Sequence, residues 1–290
     1  MNKKFDLIQQ DPMADIRIKP LITDDGTKSR ARAVLLDTGK KGKGKYKEVG
    51  VVGEKYYLIS NKKLVQDVVN PIIDRTDNNF NLSKEFFNGS RWQRFYVADD
   101  LTIPIESVDK GDYIKAGFYV QNSYDGSSPV RMGIYGEKVE CKNGQLSKEY
   151  LPSVRITHNL SNKDLYESEI DKLVQLVTQS KESLLQMVKA SSLMKNSLID
   201  INGIAHLRME YLNKIPTSTF GKVMDQFLPL TYGDSEVEWT VSDFYDCFTN
   251  VLWHNKNMTQ AHIDQNSYVT DQMIKFANLE LTDEAMVWET

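Results

Sequence analysis

Residues 39–46 read GKKGKGKY, and their spacing comes close to a phosphate-binding loop. Such a loop has two glycines with four residues between them, then a lysine for the phosphates and Ser or Thr for Mg²⁺. Gly39, Gly44 and Lys45 fit, but Tyr46 stands where the metal-binding hydroxyl belongs. The loop must also join a strand to a helix, because the helix N-terminus contributes amide donors and the positive end of its dipole. The segment that follows, KEVGVVGEKYY, is β-branched and broken by glycine, which favours a strand. This is not a nucleotidase loop. It reads instead as a β-hairpin, with AVLLD ascending, GKKGKGK across the tip and YKEVGVV descending.

The tip is cationic. Lys40, Lys41, Lys43, Lys45 and Lys47, with Lys28, Arg30 and Arg32 at the strand base, place eight basic residues within twenty positions. Lysine ammoniums are adaptable point charges, and release of counterions favours their binding to a phosphate backbone. A second cluster, RWQRFYV, holds Arg91, Trp92, Arg94 and Tyr96 on an expected strand. Side chains alternate along a strand, so Trp92, Arg94 and Tyr96 are expected on one face, with Arg91 and Phe95 opposite. Aromatic platforms beside cations hold single strands without sequence preference. One face of such a strand must still pack on a core.

Period and composition place these segments in an α+β fold: a β-rich half, residues 1–160, built of antiparallel hairpins, followed by a helical region, residues 161–290. Strands are expected at 31–36, 49–52, 56–59, 91–98, 113–121 and 130–140, with one amphipathic helix over 62–73, stopped or bent near Pro71. From Leu165 the apolar residues recur at helical spacing. Helices are expected over 197–212, 217–227, 241–254 and 261–278, with Thr240 as a cap of the third.

A polar motif lies within the β-rich half. QNSYDGSSPVRMGIYGEKVECKNGQL contains Asn122, Ser123, Asp125 and Gly126, then Cys141, Asn143 and Gly144. Asp-Gly and Asn-Gly pairs suit tight turns, so two hairpin turns are one reading; a polar site that also includes His158 is the other. Cys141 and His158, with Asp125, are candidates for a thiolate–imidazolium pair, which requires a base within hydrogen-bond reach of the sulfur. No C-x-x-C or H-x-x-x-H pair supports zinc, and no metal or cofactor is expected. His254 and His262 are eight apart, but residues 255–258 are expected to break the helix between them.

The stretch N-S-x-D-G-S followed by C-x-N-G resembles a phage- and plasmid-encoded family known as domain of unknown function 932. GVVGEKYYLISN at 50–61, RITH at 155–158 and VSDFYDCFT at 241–249 resemble other segments of that family, over about residues 49–255. The late helix departs from the family pattern, with Asp246 and Cys247 in place of Asn-Ala. The resemblance implies a mobile-element origin and a place in DNA metabolism; it supplies no reaction.

Net charge is −4, but residues 1–60 carry 13 Lys and Arg against 8 Asp and Glu, whereas residues 200–290 carry 5 against 14. Such polarity focuses an anionic ligand on one end. No run approaches the ~18 apolar residues of a membrane span, and the first residues show no apolar signal segment. Two cysteines are too few for a disulfide framework, so a cytoplasmic, reduced setting in the host is expected. The expectation is a non-enzymatic protein of phage type that binds single-stranded DNA, anneals complementary strands and forms a homo-oligomer. The rival readings are a phage interaction protein that inhibits a host defence or replication enzyme, and a Cys/His enzyme; a host or phage protein is a candidate partner.

Overall fold

The computed structural model describes residues 11–39, 45–76, 78–105, 113–138, 144–147, 151, 153–159, 163–178, 180–231, 238–254 and 259–287. Strands dominate to residue 156 and helices follow, an α+β arrangement. By contacts the chain forms two compact units that interleave along the sequence. One comprises Met1–Val97, Phe118–Gly133 and Ser153–Thr178; the other comprises Ala98–Gly117, Ile134–Pro152 and Gln179–Thr290.

The first unit opens with a three-stranded antiparallel sheet, β1 (Ile16–Ile22), β2 (Lys28–Asp37) and β3 (Tyr46–Val52), with β2 in the middle. Its β2–β3 connection is the expected hairpin: Asp37 pairs with Tyr46, and the Thr38 amide and hydroxyl both donate to Lys45 O. A register shift between Val34 and Leu35 marks a bulge, which increases local twist. Alternation puts Val34 and Leu36 on the buried face with Ile16 and Ile18 opposite them, over Val52, Tyr56 and Tyr124. Residues 56–59, expected as a strand, make only an isolated bridge from Tyr56 to Asn159.

The expected helix over 62–73 runs longer and is not uniform. It consists of α1 (Asn61–Leu64), a π-helical turn (Val65–Val69) and α2 (Asn70–Arg75). Ser60 caps it by accepting from the Lys63 amide. Pro71 falls in the first turn of α2, just after the wide π turn. That placement accommodates a residue with no amide donor and a ring that crowds the preceding turn.

The second sheet has the order β4 (Phe80–Phe87), β5 (Arg91–Pro104), β6 (Tyr113–Ser123), β7 (Val130–Lys138) and β8 (Gly144–Gln145), with β9 (Ser153–Ile156) paired to β7. Strands β5, β6 and β7 contribute residues to both units.

The helices are α3 (Lys163–Thr178), α4 (Ser180–Asn196), α5 (Ile201–His206) with a π turn (Leu207–Tyr211), α6 (Thr217–Thr231), α7 (Val241–Trp253) and α8 (Gln260–Val287). Thr240 and Asp243 form a reciprocal capping box at the start of α7. His254 is the C-cap of α7, so His254 and His262 lie on different helices. Phe220, Phe227, Phe244 and Phe248 pack edge-to-face or tilted at 5.0–6.2 Å between α6 and α7. Among the described residues no helix is long and apolar enough to cross a membrane.

Gly144 shows why β8 tolerates no side chain there. A Cβ at this position would lie 2.3 Å from the Trp253 ring, which is itself buried. Replacing Gly144 by Ala is expected to destabilise the protein by about 1–3 kcal/mol, the usual cost of overpacking. Urea denaturation of the two proteins, with unchanged slopes and a lower midpoint in the variant, checks this.

Candidate functional site

The basic hairpin is the first candidate. On β2, Arg30 and Arg32 share the face of Val34 and Leu36, but the core covers only the latter pair; Arg32 is half-buried and Arg30 exposed. Lys45 and Lys47 are exposed where β3 begins, while Lys40, Lys41 and Lys43 lie outside the described residues. The opposite face of the sheet adds cations that the sequence reading passed over. Arg17 and Lys19 on β1 are exposed and stand across from Leu35 and Ala33. Arg17 lies over the Tyr46 ring, 4.8 Å from its centroid. The alternation in IRIK was the available signal, but Pro20 two residues before Ile22 obscured the strand. Glu48 is the exposed acid on this face.

Among the described residues none of Arg17, Lys19, Lys28, Arg30, Arg32, Lys45 and Lys47 forms an ion pair. The second sheet behaves differently. There Arg94 pairs with Glu85 at 2.6 Å, Lys115 with Asp99 at 2.7 Å, and Lys138 with Asp246 at 2.6 Å.

The expected aromatic platform on β5 is not open. Trp92 is fully buried and donates from Nε1 to Glu85 Oε1 at 2.8 Å. Tyr96 is 6% exposed and stacks on Phe118 at 4.9 Å between ring centroids. Arg94 does share their face, 5.5 Å above Trp92 and bonded to Tyr96 Oη. That face is core: Trp92, Tyr96 and Ala98 on it are buried, and so are Gln93, Phe95 and Val97 on the other face of β5. Trp92 and Tyr96 therefore offer no ring to a base. Arg91 is directed elsewhere, donating to Ser127 Oγ at 2.9 Å.

The turn motif has its own geometry. Gly126 takes φ +71°, and Asp125 Oδ1 accepts from the Ser127 amide and hydroxyl. Burial raises the Asp125 carboxyl, but bonds from Ser127 and Ser90 and the charge of Arg91 hold it below its usual value. Asn122 is buried and donates to Ile59 O and Asn61 Oδ1, both at 2.8 Å; the Ser123 hydroxyl bonds to Ser128. Tyr56 Oη donates to Ser123 O at 2.8 Å, and the Asn61 amide donates to Tyr124 Oη at 3.0 Å. Thus the 50–61 segment and the 121–128 turn fasten to each other with buried polar bonds, and Asn122 and Ser123 serve that attachment.

His158 belongs to the same assembly. Its ring stacks on Tyr56 at 4.8 Å between centroids, and Nδ1 lies 3.1 Å from Tyr57 O. A carbonyl only accepts, so Nδ1 carries the proton, and the buried Nε2 has no partner among the described residues. Cys141 and Asn143 lie outside the described residues, whereas Gly144 packs on Trp253 in the second unit. Cys247 is buried, and burial with the nearby Asp246 and Asp243 charges raises its thiol to about 11, far from a thiolate nucleophile. Among the described residues no three His, Cys, Asp or Glu side chains group to hold a metal ion.

Comparison of the chain with protein-family models, with curated proteins and with solved structures found no match.

Burial lowers the His158 pKa below 6.5, outweighing the Tyr57 bond and the Asp125 charge, which raise it. The unfolded chain therefore takes up a proton before the folded one does. His158 contributes its full stability above about pH 6.5, and loses it as pH falls toward the lower folded value. Between pH 7.5 and 5 the wild type should lose more unfolding free energy than His158→Phe, which keeps the stacked ring without the titration. Denaturation curves across that range, compared pairwise, check this.

Proposed function

We propose that this chain binds single-stranded DNA through the first sheet and the tip of its β2–β3 hairpin, and that annealing of complementary strands is the activity this binding serves. The observation that carries the reading is that seven cations of the first sheet have no described carboxylate paired to them, with Arg17, Lys45 and Lys47 at the end that bears the partly exposed Tyr46 and Lys28, Arg30 and Arg32 toward the other end of β2. Cations left unneutralised by their own protein retain their full attraction for a polyanion, and their binding releases counterions. Tyr46, flanked by Lys45 and Lys47 and backed by Arg17, supplies the stacking surface that Trp92 and Tyr96 do not. Residues 16–52 carry ten basic and four acidic side chains, so this sheet is electropositive in a chain of net charge −4. The resemblance to a phage- and plasmid-encoded family supports a role in mobile-element DNA metabolism. Association of several copies would add contacts along a strand and strengthen binding.

Fluorescence anisotropy with a labelled oligonucleotide tests the reading. Affinity should fall steeply with salt. Replacing Arg30, Arg32, Lys45 and Lys47 by Ala should weaken binding and reduce the slope of log K against log salt by about 3, at roughly 0.7 per lost phosphate contact. Tyr46→Ala should weaken binding by about 5- to 100-fold, the worth of one stacked base, with little change in slope. No binding at low salt, or a fourfold variant that binds as wild type does, contradicts the proposal.

A further inference from the structure

Helix α5 and its π turn turn an apolar stripe outward. On one side His206 and Tyr211 face Phe276 of α8, with ring centroids 6.2 and 5.7 Å away. On the other, the Arg208 guanidinium lies over the Phe220 ring of α6 at 5.0 Å. Ile204 and Leu207 point inward and are buried. The positions left outward are Ile201, Ala205 and Met209, four residues apart, with Leu198 just before the Asp200 cap. The π turn carries more residues than an α turn, so Met209 stays in line with the other two. Ile201 is 60% exposed, Met209 71% and Leu198 50%, and Ala205 between them is exposed as well. Single exposed apolar side chains are ordinary, whereas a contiguous group of them marks an interaction surface.

The stripe complements itself. Its order is large, small, large. A two-fold axis near Ala205 sets two such helices antiparallel, with Ile201 of one copy opposite Met209 of the other. The two Ala205 side chains then meet at the centre, where their small size lets the backbones approach. The polar flank matches under the same operation. Asn202 and Glu210 lie on one side of the stripe, eight positions apart, so the antiparallel pair brings Asn202 of each copy beside Glu210 of the other. Asn202 donates one amide hydrogen to Asp200 at 3.5 Å and has a second to give. Glu210 is exposed and has no ion pair among the described residues, so its carboxylate can accept. A lipid surface fits less well, because interfacial helices carry Lys and Arg beside the apolar face, whereas Asp200 and Glu210 stand here.

We propose that this stripe is a two-fold interface between copies of this chain. One short helix from each copy makes a small contact of the weak class, so the dimer dissociates on dilution.

Sedimentation equilibrium of the full chain without DNA, from about 5 to 500 µM, spans the range of weak association and tests the interface. The mean mass should rise with concentration toward that of two chains. The double variant Ile201→Asp, Met209→Asp should raise the dissociation constant by at least about tenfold, since burying either carboxylate in the contact is costly. Both positions are exposed, and an unchanged far-ultraviolet dichroism spectrum verifies that the variant folds. Ala205→Cys should form a disulfide-linked dimer under mild oxidation, as side chains close to the two-fold axis allow, whereas Asp225→Cys on the exposed face of α6 should not. A monomer at every concentration, an association that the double variant leaves unchanged, or equal cross-linking at 205 and 225 overturns the proposal. So does a monomer that sediments with phosphatidylcholine vesicles and loses them in the double variant, which makes the stripe a lipid contact.

Discussion

The first unit depends on one close approach. A Cβ on Gly50 would lie 2.6 Å from Asp125 Cα and 2.8 Å from its Cβ, so only glycine lets β3 lie against the 121–128 turn. Once that contact is made, Val34, Leu36 and Val52 are covered by Tyr56 and Tyr124, and Tyr56 Oη reaches Ser123 O. The turn itself is held by Asp125 and Ser127 and by the positive φ of Gly126. Burial of these apolar groups removes them from water, while Tyr56 Oη, Tyr124 Oη and the Asn122 amide nitrogen keep hydrogen-bond partners. The hydrogen bonds give the docking its register; the glycine permits it.

The same contact divides the first sheet into a covered part and an open part. Along β2 the shared face passes from buried Leu36 and Val34 to half-buried Arg32 and exposed Arg30. Where the covering ends, cations begin, and no described carboxylate meets them. In the second sheet, by contrast, Glu85 serves both Trp92 and Arg94, so charge there is spent on structure. Arg94 lies against the buried Trp92 ring, and a guanidinium desolvated in that way is costly without such a partner. An exposed lysine in water needs none, and it remains available for a ligand.

Much of the architecture was legible. Tyr46 in place of a hydroxyl residue, together with β-branched residues after it, was enough to reject a phosphate loop in favour of a hairpin. Thr240 announced the α7 cap, and residues 255–258 separated His254 from His262. Strands β1 and β4 were not legible: IRIKPLI contains Pro20, tolerated because β1 is an edge strand, and FNLSKEFF is polar for much of its length. Alternation correctly grouped Trp92, Arg94 and Tyr96 on one face, but it could not reveal that both faces of β5 are covered. Arg17 and Tyr46 are 29 positions apart, and only strand pairing through β2 brings them together.

Hydrogen–deuterium exchange of the protein with and without a saturating single-stranded oligonucleotide tests the central claim most directly. The account predicts slower exchange in the peptides covering residues 28–32 and 45–48, with residues 91–96 unchanged. Protection confined to 91–96 or to the helical unit, with the first sheet exchanging as in the free protein, would contradict it.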